Sequence, residues 1–379
     1  MLARVSLRGI WLALPVVAAC NFEHGLRTDA GTTTEDVDDS GVNIDVDAPP
    51  ADARPDAPPG QSCYGVGLLQ VCYQPGTEPT GPYHPTFATV DTGSNCDRVI
   101  PQTGNNPDLC LHAGTTVTID SNVRFTGPRP IVLLALTTIN VSGTIDVSSG
   151  GAGAGTGFCN DPVKGADENS NGASKGAGGG GGAGFGTGGA AGGAGTVAGG
   201  AGASSTALTG IRGGCRGAPG GKSSAANGGA GGVGAGAVYM IAGTSISVGG
   251  TILANGQGGR GGGAKAGGGG GGTGGLIGFD APDVMVQGTV MANGGGGGEG
   301  GDGTITGENG SDPTQWDQRA GGGNNLQNGG DGGAGSVAGN GGLVGVNGGN
   351  GGGGGGGGAG RVKRFPFMTT PGKISPPPL

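Results

Sequence analysis

The stretch VGGTILANGQGG (248–259) returns almost unchanged as VQGTVMANGGGG (286–297), and each copy runs from alternating apolar residues into glycine. This alternation between two kinds of chain limits the fold more than any other feature. The apolar stretches can fill a core with side chains, whereas the glycine stretches have none to offer. Of the 102 glycines, 87 fall between residues 150 and 360, while only 33% of the chain is hydrophobic and 4% aromatic. An ordinary pair of globular domains is excluded on that composition.

Aligning the two copies, 38 residues apart, superposes Val248, Ile252 and Ala254 on Val286, Val290 and Ala292. The same template fits TTINVSGTIDVSSGG, with Ile139, Val141, Ile145 and Val147, 107 residues before the first copy. It fits TTVTIDSNVRFTG, with Val117, Ile119, Val123 and Phe125, another 22 residues earlier. Period-two alternation of β-branched residues marks strands, and a spacing near 20 residues marks stacked coils. The expected fold is all-β, a parallel β-helix-like solenoid over residues 113–368. Ile246, Val248, Ile252 and Ala254 should point inward and stack on Val284, Val286, Val290 and Ala292. Gly143, Gly250 and Gly288 should mark a bend between two short strands, where a side chain would crowd the turn. The runs IVLLAL (131–136), AVYMIA (237–242) and GLIGFD (275–280) should form a second wall, and the basic, aromatic RVKRFPFM (361–368) should close the last coil. Arg124 and Asp146 take equivalent places on neighbouring coils and read as an exposed ion pair.

The 22-residue interval fits one coil, and the surplus in the longer intervals is glycine-rich insertion. Collagen is excluded, because no strict Gly-X-Y period exists and proline is scarce there. Two states stay open: flexible linkers, or a bundle of polyproline-II-like segments bonded to one another. Phe158, Phe185 and Leu208 would serve as anchors in the second.

Residues 1–19 read as a signal peptide, with Arg4 and Arg8 ahead of an apolar run from Ile10 to Ala19 that is too short to span a bilayer. Its end, Val17-Ala18-Ala19-Cys20, resembles the lipobox of bacterial lipoproteins. That resemblance implies a diacylglyceryl group on the Cys20 thiol and an acylated amine, together a firm membrane anchor. Asn21, in place of an aspartate, favours the outer membrane. Residues 20–60 read as a disordered spacer, since ten acidic residues face Arg27 and Arg54 in a proline-rich stretch. Their balance of −8 equals that of the whole chain, so acidity belongs to the tether and argues against nucleic acid as a partner.

Beyond Cys20 six cysteines remain, an even set that suggests three disulfides in an exported chain. Proximity favours Cys63 with Cys72, Cys96 with Cys110, and Cys159 with Cys215, the last closing a long glycine-rich excursion. Zinc is disfavoured, because no C-x-x-C pair is found among them. The cysteines place a cap segment at residues 61–112, and residues 369–379 read as a proline-rich tail. Lipobox, Asp/Ala/Pro tether, cysteine-rich segment and GTSISVGGTILANG coils amid glycine runs together resemble a group of glycine-rich bacterial surface lipoproteins of uncharacterised function.

Catalytic motifs are weak. The stretch RGAPGGKSS (216–224) lacks the first glycine and the strand-loop-helix of a phosphate loop. Ser174 sits in a G-x-S-x-G frame without flanking apolar strand or helix. Asp302 and Asp331 approach calcium-repeat spacing without keeping it. No carboxylate ladder lines one strand face, as glycoside cleavage on such a scaffold requires. No catalytic residue, metal or cofactor is expected. One polar cluster breaks the glycines, SDPTQWDQR (311–319), where Asp312, Trp316, Asp317 and Arg319 could hold a sugar against the indole. The expected role is therefore structural or adhesive, through a lipid-anchored surface protein that contacts membrane and cell-envelope polysaccharide. A polysaccharide-active enzyme or carbohydrate-binding protein on the same scaffold is the alternative.

Overall fold

The computed structural model describes residues 60–155, 159–168, 176–325, 328–366 and 372–379. The signal peptide, Cys20, nearly all of the tether, Phe158 and Ser174 lie outside the described residues. Within them the chain is all-β, without a helix. It begins with β1 (Ser62–Tyr64), β2 (Val71–Tyr73), β3 (Thr89–Asp91), β4 (Arg98–Ile100) and β5 (Leu109–Gly114). Next come β6 (Val117–Ile119), β7 (Asn122–Thr126), β8 (Ile131–Ala135), β9 (Thr138–Val141) and β10 (Thr144–Asp146). After a long glycine-rich excursion follow β11 (Ala237–Ala242), β12 (Ser245–Val248) and β13 (Thr251–Leu253), then β14 (Leu276–Asp280), β15 (Asp283–Val286) and β16 (Thr289–Met291). A final excursion leads to β17 (Arg361–Phe365) and β18 (Lys373–Ser375).

Each repeat contributes one strand to each of three sheets, ordered β3-β7-β10-β13-β16-β18, β4-β5-β8-β11-β14-β17 and β6-β9-β12-β15. Apart from the antiparallel β4–β5 pair, their strands run parallel. The register matches the sequence template: Val123 pairs with Ile145, Ile145 with Ile252, and Ile252 with Val290. Val141, Val248 and Val286 form the corresponding column in the third sheet. These residues are all buried in one cluster with Val238, Met240, Ile277 and Phe279 of the second sheet. Alternation explains why. Inward side chains pack against the other sheets, while Thr251 and Thr289, between them, are half-buried. Fully burying each Val or Ile contributes about 1.5–3 kcal/mol over leaving it exposed.

Between β9 and β10, and at the matching places after β12 and β15, Gly143, Gly250 and Gly288 stack in a column. A Cβ on each would lie 2.3 Å from Ser121 O, 2.0 Å from Gly143 O and 1.9 Å from Gly250 O, respectively. The bend needs glycine because the segment beneath fills the place of a side chain. Arg124 and Asp146 are register neighbours and form an ion pair, but it is half-buried rather than exposed, because Arg124 also donates to Ser148 O and Ser149 O at 3.0 Å.

The second sheet differs from the others in being covered on both faces, so β8 and β11 are buried at every residue. Its outer face carries Val132, Leu134, Tyr239, Ile241 and Leu276 beneath Val71 and Tyr73 of the β1–β2 hairpin and beneath Phe185 and Ile211. The cap is latched there by Asp280, whose carboxylate accepts hydrogen bonds from Val66 N, Gly67 N and the Tyr239 hydroxyl. The cap and tail also join the stack: β5 crosses the boundary expected at residue 112, β3 pairs with β7, and β18 pairs with β16.

The glycine-rich excursions pack side by side, joined by backbone hydrogen bonds. In the segment 176–186, Ala177, Gly180 and Ala183 donate to the carbonyls of Lys265, Gly268 and Gly271. Gly178 and Gly181 donate to Ala166 and Val163, and Gly179 and Gly182 to Gly193 and Ala190. The same segment accepts from three further stretches, through Gly352, Gly355 and Gly358, through Ala218 and Gly221, and through Gly200, Ala203 and Thr206. Every bond recurs after three residues, the period of a polyproline-II helix. Six neighbours thus surround one segment, and at its glycines a side chain has no room. A Cβ on Gly180, Gly181 or Gly182 would lie 2.3, 2.0 or 2.0 Å from the carbonyl oxygen of Ala218, Ala201 or Gly356, a different neighbour each time. Outer segments are relieved on one side: Ala198, Ala201, Ser204 and Ala207 are exposed at three-residue intervals, as are Arg216, Pro219 and Lys222.

Candidate functional site

The six cysteines that follow Cys20 form three disulfides, Cys63–Cys72, Cys96–Cys110 and Cys159–Cys215. The first crosses β1 and β2, where the two residues are register partners. The last ties the beginning of the first glycine excursion to the segment that re-enters the stack. Cys20, the lipidation site expected from sequence, lies outside the described residues.

Two residues of the 311–319 cluster bond to backbone groups of other segments. Asp312 Oδ1 accepts from Gly258 N at 2.7 Å, and Arg319 Nη1 donates to Gly335 O and Gly341 O, each at 2.7 Å. Among the described residues no ion pair joins Arg319 to Asp312 or Asp317. Trp316 is half-buried and Asp317 exposed at the bend between two outer glycine segments. Asp312 and Arg319 thus act as clamps on backbone groups that their glycine neighbours cannot reach by themselves. Asp302 is held similarly, accepting from Asn350 Nδ2 at 2.6 Å. No group of three or more His, Cys, Asp or Glu among the described residues could hold a metal ion.

A more enclosed arrangement lies where the cap meets the glycine array. Asn105, Asn106, Asn160, Ser205, Thr206, Thr209 and Arg212 line a recess of about 410 Å³. Its walls come from three distant stretches joined by specific contacts. Gln102 Oε1 accepts from Ile211 N at 2.9 Å while its Nε2 donates to Ile211 O and Pro107 O. Asn160 Nδ2 donates to Ser204 Oγ at 3.0 Å, and Asn106 Nδ2 donates to Thr103 O at 3.1 Å. The Cys159–Cys215 bridge holds the remaining side.

One guanidinium, that of Arg212, lies in the lining, and a second, that of Arg361, shares its aromatic neighbour. Arg212, only 1% exposed, stands over the Phe185 ring at 4.8 Å, and Arg361 over the same ring at 5.8 Å. Arg361 Nη2 donates to Thr206 O at 2.6 Å. Burial holds both guanidiniums below the usual arginine value, and for Arg212 the charge of Arg361 adds to the effect. Thr206 is 8% exposed, and its hydroxyl has no hydrogen-bond partner among the described residues. The lining carries a positive charge and, among the described residues, no carboxylate. Phe185, expected from sequence as an anchor, is buried, with Leu208 packed against its cluster.

A second, shallower recess of about 370 Å³ is lined by Tyr73, Asp97, Arg98 and Leu111. There Asp97 is already engaged, with Oδ1 3.3 Å from His112 Nδ1 and Oδ2 accepting from Ala113 N at 2.9 Å. His112 is stacked on Tyr83 at 4.7 Å between centroids.

Sequence reasoning missed the larger recess. Its residues span more than 100 positions and share no motif. One signal was present: SSTALTGIR (204–212) interrupts the glycines with polar residues as 311–319 does. No protein-family model matches the chain, and no curated protein or solved structure matches it.

Proposed function

We propose that this is an exported surface lipoprotein, anchored through Cys20 and raised on its acidic tether, with a structural or adhesive role in the cell envelope. In this reading the three sheets form a parallel β-helix-like solenoid, and the glycine excursions form a bundle of polyproline-II-like segments along it. The observation that carries it is the exposed side chain at every third residue of the outer glycine segments, as at Ala198, Ala201, Ser204 and Ala207. In polyproline-II geometry these would stand about 9 Å apart, a fixed spacing suited to a repetitive surface. The disulfides support export, since such bonds persist outside the cytosol.

The enzyme alternative is less well supported, because the carboxylates best placed to be functional are engaged otherwise. Asp146 pairs with Arg124, Asp280 latches the cap, and Asp97 binds His112 and Ala113 N. Carbohydrate binding without catalysis is favoured by the amide- and hydroxyl-lined recess. The anchor is tested by Cys20→Ser, which should release the protein from membranes or leave it unprocessed. Unchanged membrane fractionation and mass in that variant would overturn the lipoprotein reading.

A further inference from the structure

We propose that the recess between the 101–108 loop, Asn160 and the 204–212 segment binds an acidic sugar, with a hexuronate carboxylate facing Arg212 and the ring hydroxyls on Asn105, Asn106, Asn160 and Ser205. This rests on the adhesive half of the reading above and names its ligand class.

The lining chemistry points to a polyhydroxylated ligand. Carboxamides and hydroxyls both donate and accept, so neighbouring hydroxyls of a sugar can be met from either side. A protein or lipid partner would instead call for apolar anchors, and Ala207 is the one apolar residue among the described lining. The volume, about 410 Å³, falls within the range of about 300–1,000 Å³ common to small-molecule clefts.

Charge selects among sugars. Arg212 is almost fully buried at the recess, Arg361 adds a second positive charge behind it, and both share the Phe185 ring. A guanidinium in such surroundings is strengthened as a partner for a planar carboxylate. Thr206 supplies an independent indication: the residue lines the recess, more than nine-tenths buried, and its hydroxyl has no partner among the described residues. An unsatisfied buried hydroxyl is costly, and a bound sugar would relieve it. The walls are set before binding, by the Gln102 clamp on Ile211 and by the Cys159–Cys215 bridge. A preformed site loses less entropy on binding.

Titration calorimetry of the full chain in detergent tests this with three probes: a galacturonic acid disaccharide, the neutral galactose disaccharide and inorganic phosphate. The acidic disaccharide should bind at least about tenfold more tightly than either of the others, a difference of about 1.4 kcal/mol. Asn105→Asp places a like charge on the exposed rim, away from packing, and should weaken the acidic disaccharide about tenfold while barely changing the neutral one. Thr206→Val should weaken the acidic disaccharide severalfold. Circular dichroism and thermal melts of each variant establish that the fold persists, and Asn105→Asp remains decisive if Thr206→Val unfolds. The proposal is overturned if folded wild-type protein ignores the acidic disaccharide, if phosphate or the neutral disaccharide binds as tightly, or if Asn105→Asp changes nothing. Membrane fractionation of Cys20→Ser reads the anchor independently, so loss of one result leaves the other standing.

Discussion

The sheet stack and the glycine array solve the same problem with opposite materials. In the stack, backbone groups pair along the ladders and β-branched side chains fill the space between three sheets, so that Val123, Ile145, Ile252 and Val290 form one continuous column. In the array most positions have no side chain, and the segments approach until carbonyl oxygens occupy the places of Cβ atoms, as around Gly180, Gly181 and Gly182. The stack derives stability from apolar burial, about 25 cal/mol per Å². The array depends on a large number of backbone hydrogen bonds, each worth roughly 0.5–1.5 kcal/mol net, and on dense contact between chains. The difference teaches that the two regions should respond to opposite kinds of substitution: the stack to a change of polarity at alternate residues, the array to any added atom at its centre.

The largest effect is expected in the stack. Ile252→Asp or Val290→Asp buries a charge in the central cluster, at a cost of several kcal/mol even after relaxation, and should unfold the domain. Thr251→Asp and Thr289→Asp change the neighbouring, half-buried positions and should lower the melting temperature far less. Equal damage from both pairs in thermal melts would break the alternation on which the comparison depends.

The array gives an intermediate effect with inverted logic. Gly270→Ala adds one methyl group whose carbon would lie 2.0 Å from Gly181 O. The segments must then part, at a cost of about 1–3 kcal/mol or more. Ala201→Ser, on an exposed outer position, should stay within about 0.5 kcal/mol. If urea titrations find Gly270→Ala as mild as Ala201→Ser, the close packing of the central segments is refuted.

The smallest effect concerns the junction between cap and stack. Burial raises the Asp280 carboxyl above its ordinary value, against the opposing hydrogen bonds from Gly67 N, Val66 N and Tyr239. A raised folded-state value means that the folded protein holds the proton more tightly than the unfolded chain. The associated stability is complete below the ordinary value near 4 and is lost as pH rises through the raised one. Asp280→Asn should flatten that part of the stability profile between about pH 4 and pH 7. A melting-temperature difference between those pH values identical to wild type would show that the latch titrates as an ordinary surface carboxylate.

Legibility differed between the regions for a physical reason. The column from Val123 to Val290 could be read because a strand's side chains alternate, so one face of each repeat is written in Val and Ile. The disulfide partners followed from proximity. The need for glycine at Gly143, Gly250 and Gly288 also followed, since these recur at equivalent places in the repeats. The half-burial of the Arg124–Asp146 pair did not, because it depends on the turn at Ser148 and Ser149 folding over Arg124. The clamps made by Asp312 and Arg319 were legible as an interruption of the glycines but not as contacts to Gly258, Gly335 and Gly341.

By itself the amino-acid sequence determined where side chains were available to build a core, which residues of the repeats face it, and where the chain had to be glycine. Only the tertiary structure decided which glycine segments became neighbours. Gly180 donates to Gly268 and accepts from Gly355, partners 88 and 175 residues away, and nothing in a glycine distinguishes one partner from another. The same assembly brought Asn105, Asn160, Thr206 and Arg212 around one recess. Pairing through backbone groups is identical for every residue, so partners are selected by the geometry that the anchored ends of each segment impose.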